Sequence, residues 1–199
     1  GLEPGKSYRY RIYQQGVDDS GHNPVPSGYI SASNVYSRKP YAIRMMDKSK
    51  EDCTFTMIND IHGRDSMMLA LTKDIREQKP DFVVFNGDMV SFMGSTEDIE
   101  KGFMTRATET FATDIPLVYV RGNHETRGQF ARIYDEYIHN TPEGMFYGVF
   151  YFGDTAVVML DGGEDKDDQH PVYGGLVDFD NYRREEAEWL KGVVRSPEF

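Results

Sequence analysis

Cysteine is nearly absent from this 199-residue chain, whose one example is Cys53. A single thiol excludes an internal disulfide and a zinc site built from several cysteines. Its neighbours are threonine and apolar residues that predict a strand, so we expect a buried structural role for the thiol. The cysteine content therefore does not indicate whether the protein works in an oxidising or a reducing compartment.

Basic residues are scarce beside acidic ones: 22 Lys and Arg face 33 Asp and Glu, giving a formal net charge of −11. This imbalance disfavours general nucleic-acid binding, because the field of the chain repels a polyanion. Carboxylates also supply oxygen ligands to cations, although solubility accounts for most of such a charge. Long apolar runs are missing too, so no membrane-spanning helix is expected.

The opening residues are typical of the end of a β-domain. A Leu-Glu-Pro-Gly turn precedes Tyr8 and Tyr10, which alternate with arginines in the two-residue period of a strand. The segment resembles the last part of a fibronectin type III sandwich. We therefore expect residues 1–37 to be a remnant of such a domain plus a Gly-, Pro- and Ser-rich linker over 16–37, with a second domain over 38–199.

Strands and helices alternate in the second domain. Apolar runs predict strands over 53–60, 81–88 and 116–121, and helical spacing predicts helices over 65–78, 95–113, 128–139 and 184–194. Alternation of continuous apolar strands with helices is typical of a parallel sheet covered on both faces. The segment GVFYFGDTAVVMLDGG (148–163) adds a hairpin that turns at Gly153–Asp154. The predicted fold class is α/β.

Two predicted helices carry further detail. Met68, Leu71 and Ile75 share one face of the first helix and are expected in the core. Ser95 or Thr96 should cap the second helix, where the spacing of Glu97 and Lys101 predicts an ion pair.

Polar side chains follow three of the predicted strands directly. Asp60 ends the first and His62 follows it, Asp88 ends the second, and Asn123 and His124 follow the third. Because the carboxyl ends of parallel strands meet at one edge of a sheet, these groups should gather there. Carboxylate, amide and imidazole ligands suit Mn, Fe or Zn. Each fragment alone has a plainer interpretation as a turn, but order, spacing and strand-end placement agree.

These motifs resemble a known signature. Asp60-Ile61-His62-Gly63, Gly87-Asp88 and Gly122-Asn123-His124-Glu125 match, in order, the pattern of the calcineurin-like metallophosphoesterases. The resemblance covers about residues 53–199. It implies a four-layer α/β/β/α sandwich, of which this chain is the first half, and a centre with two metal ions.

The resemblance also implies roles for individual side chains. Asp60 and His62 would bind the first ion, Asp88 would bridge both, and Asn123 would bind the second. His124 would act as a catalytic acid near the leaving-group oxygen. The implied reaction is hydrolysis of a phosphate mono- or diester by an activated water.

Substrate contacts are expected from Arg64, Arg121, Asp161 and His170. A surface role is an equal alternative for both arginines, and an exposed structural position is the alternative for His170. Specificity is expected in the irregular loops 91–96, 125–130 and 161–181. These loops contain no recognisable motif for binding a base, sugar or lipid. The expected substrate is therefore a small phosphoester, which the sequence does not identify further.

A fibronectin-like segment before such a domain resembles the arrangement of purple acid phosphatases, which implies a secreted or periplasmic protein. Two residues depart from that family. Ser91 stands where those enzymes carry the tyrosine that colours their ferric site, and His62 is present where they lack a histidine. We therefore expect a colourless phosphoesterase with a similar layout.

The family pattern continues with an isolated histidine and a Gly-His-x-His motif, neither of which is recognisable here; His139 and His170 are weak substitutes. We therefore expect a truncated catalytic domain with about half the ligands, weak activity by itself and homodimerisation through uncovered sheet edges. A nucleotidase or nuclease of the same family is an alternative. A non-catalytic scaffold is another, although retention of the full polar set argues against it.

Overall fold

The computed structural model describes residues 1–14, 17–18, 25–26, 36–47, 49–138 and 146–199. Its strands are β1 (Ser7–Tyr10), β2 (Val17–Asp18), β3 (Val25–Pro26), β4 (Tyr41–Arg44), β5 (Phe55–Ile58), β6 (Phe82–Asn86), β7 (Leu117–Val120), β8 (Gly148–Phe152) and β9 (Thr155–Met159). Its α-helices are α1 (Asp65–Thr72), α2 (Ile75–Gln78), α3 (Thr96–Ile99), α4 (Thr105–Ala107) and α5 (Phe179–Val194). Glu100–Met104 and Thr108–Ala112 are π-helical, and His124–Thr126, Gln129–Glu136 and Pro171–Tyr173 are 3₁₀-helical.

The centre of the fold is a parallel sheet in the order β5-β6-β7. Ile58 pairs with Phe85 and Asn86 pairs with Val120, so the three strands end at the same edge. The predicted α/β class and all three predicted strands are confirmed. The chain segments that follow the strands therefore leave the sheet side by side.

Both faces of the central strand β6 are covered. Val83 and Phe85 point into a core with the helices, whereas the alternate residues Phe82 and Val84 pack with Phe152 of the hairpin β8–β9. This alternation follows from the pleat of β6, which sends successive side chains to opposite faces. The contacts define a helical layer, the sheet and the hairpin, and the expected four-layer arrangement stays a prediction.

The helices differ from expectation in four ways. The first one ends at Thr72 and a second begins at Ile75, and Leu71 was wrongly assigned to the core because its side chain is 50% exposed. Thr72 is buried instead, and its hydroxyl is satisfied there because it donates to the Met68 carbonyl at 2.8 Å. The segment 129–136 is a 3₁₀ helix, and the last helix begins at Phe179, before the predicted 184.

The long predicted helix 95–113 is helical from Thr96 to Ala112, with two π-helical turns. Ser95 caps it in a capping box with Asp98, and Glu97 pairs with Lys101 at 3.1 Å, as predicted. The hairpin turn at Gly153–Asp154 is also confirmed.

The N-terminal strand β1 pairs with β4 in antiparallel register, and the Tyr10 hydroxyl donates to the Thr113 carbonyl at 3.0 Å. These contacts cross the predicted boundary between 37 and 38, while the domain division and the fibronectin-like interpretation stay predictions. Most of 16–37, and His139, lie outside the described residues. None of the described helices has the length and apolarity to cross a membrane.

Candidate metal centre

The loops at the carboxyl edge of the sheet have an unusual backbone. Asp60, His62 and Asp88 adopt φ values of +58°, +52° and +56°, in the left-handed region that residues with a Cβ rarely occupy. Such conformations cost on the order of 1–3 kcal/mol each and persist only where surrounding structure holds them. Here hydrogen bonds join the loop after β5 to the loop after β6. The amides of Asp60 and His62 donate to the carbonyls of Gly87 (3.2 Å) and Asp88 (3.0 Å).

Close contact between Gly87 and Gly122 brings the third loop to the same place. A Cβ on Gly87 would lie 2.6 Å from the Cα of Gly122, and a Cβ on Gly122 would lie 2.3 Å from Asp88 Oδ1. Only glycine at both positions allows the backbones after β6 and β7 to approach this closely. The glycines of the motifs therefore set the distance between Asp88 and the loop of Asn123 and His124.

Three side chains converge in the resulting cluster. His62, Asp88 and His124 each offer a ligand atom within 4.8 Å of the others. The two imidazole rings lie edge to face, with centroids 4.6 Å apart. One carboxylate and two imidazoles at this spacing fit a divalent first-row metal ion.

Asp60 and Asn123 flank this cluster. Asp60 Oδ1 lies 3.8 Å from His62 Nε2, and its side chain is otherwise solvent-exposed and hydrogen-bonded to Asn59. The Asn123 amide is satisfied when its nitrogen donates to Asp88 Oδ2 at 3.1 Å and its oxygen accepts from Arg127 Nη2 at 2.6 Å. All five side chains expected in the centre thus lie at one edge of the sheet.

The His124 ring is held on both sides. Its Nδ1 lies 2.9 Å from the Ser91 carbonyl, which assigns the hydrogen to Nδ1. Its Nε2 lies 3.1 Å from Arg127 Nη1, and its backbone amide donates to Asp88 Oδ1 at 3.1 Å. The hydroxyl of Ser91 also lies 3.4 Å from His62 Nδ1.

Arg127 and Glu164 also belong to the site; both lie in loops where specificity is expected, although neither residue was singled out from its sequence pattern. Arg127 donates two parallel hydrogen bonds to Glu164, at 2.7 and 2.8 Å. Burial alone would raise the pKa of the Glu164 carboxyl, but the hydrogen bonds from Arg127 outweigh it, so that pKa lies below its ordinary value. This pair ties the segment 161–181 to His124.

Two residues expected to contact substrate face each other instead. Arg121 and Asp161 form a buried ion pair at 2.7 Å. Asp161 also accepts from the Tyr182 hydroxyl at 3.1 Å, and the Arg121 guanidinium covers the ring of Phe146 at 3.7 Å. Burial raises the pKa of Tyr182 well above its ordinary value. This geometry gives both charged groups a structural partner.

Arg64 and His170 also lie apart from the three-residue cluster. Arg64 folds back onto the strained first loop, donating to the carbonyls of Ile61 (2.9 Å) and Asp60 (2.6 Å). His170 Nδ1 accepts from the Val172 amide at 3.3 Å, at the start of a 3₁₀ turn. His170 is thus engaged with its own turn.

A groove of about 380 Å³ opens beside the cluster. His62, Ser91 and Phe92 line one part of it, and Ser95, Lys101 and the carboxylates of Glu97 and Asp98 line another. The Phe92 side chain is 55% exposed. The groove thus offers an apolar ring and polar groups of both charges next to the His62 imidazole.

The profile of the calcineurin-like phosphoesterase family matches residues 53–197. The chain belongs to that family, as its motifs indicate. Among solved structures it is similar to purple acid phosphatase PPD1 from yellow lupin (Lupinus luteus) seeds, with 13% sequence identity and a TM-score of 0.46. That match covers 89% of this chain and 35% of the lupin chain, so this chain spans about a third of its length. No curated protein matches the chain.

Proposed function

We propose that this protein is a metal-dependent phosphoesterase that hydrolyses small phosphate mono- or diesters. The observation that carries the proposal is the convergence of two proposed ligands, His62 and Asp88, with the proposed acid His124: one polar atom from each lies within 4.8 Å of the others, at the strand ends of a member of this family. Strand ends of a parallel sheet are where ligands bind in such folds.

Two ions of Mn, Fe or Zn are the proposed cofactors. Asp60 and His62 would hold the first ion, Asp88 would be shared, and Asn123 would hold the second. The donor set supports this assignment, because oxygen and imidazole ligands suit these metals and soft thiolates are absent from the described cluster. When bound, such ions would stabilise charge on the ester oxygens and lower the pKa of a water molecule.

His124 is the proposed general acid. Its Nδ1 is engaged by the Ser91 carbonyl, which fixes the plane of the ring, so Nε2 is the nitrogen that would carry the transferable proton. Arg127 Nη1 donates toward Nε2 at 3.1 Å, so this guanidinium would have to turn to the anionic ester, which attracts it, before Nε2 could hold a proton. Ser91 and Arg127 would therefore orient the acid and the substrate together.

The groove beside His62 is the proposed place for the remainder of the substrate. Its volume of about 380 Å³ suits a small ester. A nucleotide would also fit, and the exposed Phe92 ring offers a stacking surface for a base. A long nucleic acid is disfavoured by the net charge of −11. A secreted or periplasmic location, homodimerisation and low activity of this chain by itself stay predictions.

Asp88→Asn tests the proposal, because it keeps the side-chain shape but removes the shared negative charge. We expect Mn²⁺ affinity, measured by isothermal titration calorimetry, to fall by at least tenfold. Hydrolysis of p-nitrophenyl phosphate and of bis-p-nitrophenyl phosphate should fall with it. Asp154→Asn, at the exposed hairpin turn, is the matched control and should bind Mn²⁺ as the wild type does. Unchanged Mn²⁺ affinity in Asp88→Asn, or no Mn²⁺ binding by the wild type, would refute the proposed centre.

A further inference from the structure

A fully buried carboxylate lies directly behind the cluster. Both oxygens of Glu125, which has no exposed surface, accept several hydrogen bonds. Oε1 accepts from the amides of Met89 (2.8 Å) and Val90 (3.3 Å) and from the Tyr119 hydroxyl (2.8 Å). Oε2 accepts from the amides of Asp88 and Gly122, each at 3.0 Å. No Lys, Arg or His pairs with it among the residues that the structure describes.

The donors come from two different loops. Three consecutive amides, at residues 88–90, belong to the loop after β6, and the Gly122 amide belongs to the loop after β7. A single atom, Oε2, accepts from both the loop after β6 and the loop after β7. A buried carboxylate is stable only when hydrogen bonds replace its water, so the side chain holds both loops in the arrangement that supplies these donors.

The same loops carry the cluster. Asp88 adopts its left-handed conformation within the segment that Glu125 binds, and Asn123 and His124 lie between Gly122 and Glu125. Backbone in this conformation needs surrounding structure to hold it. Glu125 is well placed to do so, because its bonds begin at the Asp88 amide itself.

We infer that Glu125 is a positioning residue, which fixes Asp88 relative to Asn123 and His124 before any ion binds. It is not a ligand, because it lies buried on the far side of the 88–90 backbone amides. The inference extends the proposed function and rests on it for the effect on metal binding. The effect on the loops themselves is independent of metal.

Glu125→Gln is the discriminating variant. The amide has nearly the shape of the carboxylate, but in either orientation its NH₂ group faces at least two N–H donors. At least two of the five hydrogen bonds are therefore lost without a cavity. Glu186→Gln is the matched control, since Glu186 is also buried and accepts a backbone amide, that of Asp161 at 2.6 Å, away from these loops.

Two measurements on the full chain decide the matter. Amide hydrogen exchange followed by NMR without metal should quicken at least tenfold at residues 88–90 and 122 in Glu125→Gln, and stay within twofold there in Glu186→Gln. Mn²⁺ affinity should fall about 10- to 100-fold in Glu125→Gln and stay within twofold in the control. Equal exchange at these amides in both variants would overturn the inference.

Glu125→Asp separates positioning from charge. It keeps the negative charge but is too short to reach both loops, so Mn²⁺ affinity should fall as in Glu125→Gln. Wild-type affinity in Glu125→Asp would show that charge alone matters and would overturn positioning. The aspartate variant also serves if Glu125→Gln does not fold. A wild type that binds no Mn²⁺ would refute the proposed metal centre, and the exchange data would then decide the role of Glu125 alone.

Discussion

Replacing Gly122 by alanine should damage the centre through one added methyl group. The new Cβ would lie 2.3 Å from Asp88 Oδ1, 2.5 Å from the Asp88 amide nitrogen and 2.9 Å from Glu125 Oε2, whereas ordinary contacts begin at 3.4 Å. The Asp88 backbone must therefore retreat by about 1 Å. Rotation of a flexible side chain cannot relieve the clash, because one of the close atoms belongs to the backbone.

The size of the effect follows from this displacement. Forcing a methyl group into a closely packed site costs about 1–3 kcal/mol. In a chain of this length, a loss of about 2 kcal/mol lowers the unfolding midpoint by about 4–8 °C. A shift of about 1 Å in a reacting group can reduce the rate roughly 10²-fold, so hydrolysis should suffer more than stability.

Gly192→Ala is the matched control for this prediction. Gly192 lies in α5, where an added Cβ meets nothing within 4 Å. Alanine is more favourable than glycine inside a helix by about 0.5–1 kcal/mol, so this variant should melt at a slightly higher temperature and bind Mn²⁺ normally. Thermal unfolding by circular dichroism and Mn²⁺ titration measure both effects. A Gly122→Ala variant that melts and binds Mn²⁺ as the wild type does would refute the close approach on which the site is built.

Two further predictions concern the ion pairs. Arg121→Met leaves the fully buried Asp161 carboxylate without its cation, so urea denaturation should show a loss of about 3–5 kcal/mol in unfolding free energy. Adding Asp161→Asn should recover part of that loss, and no recovery would contradict the pairing. Glu164 has a lowered native pKa, so its stabilising effect is present above the ordinary glutamate value of about 4.3 and is lost as pH falls through the native value. Glu164→Gln should therefore lose less stability than the wild type as the pH falls from about 5 to about 3, measured as the urea midpoint. The control is Glu51→Gln, at an exposed position, which should follow the wild type. The same dependence on pH in Glu164→Gln and in the wild type would contradict the prediction.

The order of residues along the chain determined the central strands of this protein and the meeting of its polar motifs. Apolar runs bounded by Asp60, Asp88 and Asn123 are sufficient to predict three parallel strands, because continuous apolar segments between helices are typical of a parallel sheet. The pattern did not determine how far each strand is covered, since Phe55 and Met57 of β5 are 48% and 52% exposed. Parallel strands end at one edge, so the meeting of the polar motifs followed from the order of elements. Capping at Ser95 and the hairpin turn at Gly153–Asp154 were equally local, since both depend on residues within a few positions of each other.

Only the tertiary structure decided which charged groups face each other. Arg127 and Glu164 are 37 residues apart, and Arg121 and Asp161 are 40 apart, with no sequence pattern to connect them. Leu71 was misplaced because helical spacing defines a face, but the neighbouring elements decide how much of that face is covered. The left-handed backbone of Asp60, His62 and Asp88 likewise arises from hydrogen bonds between loops. Such long-range pairings depend on how the loops pack in space, whereas the preference of residues for helix, strand or turn acts over only a few positions and cannot predict them.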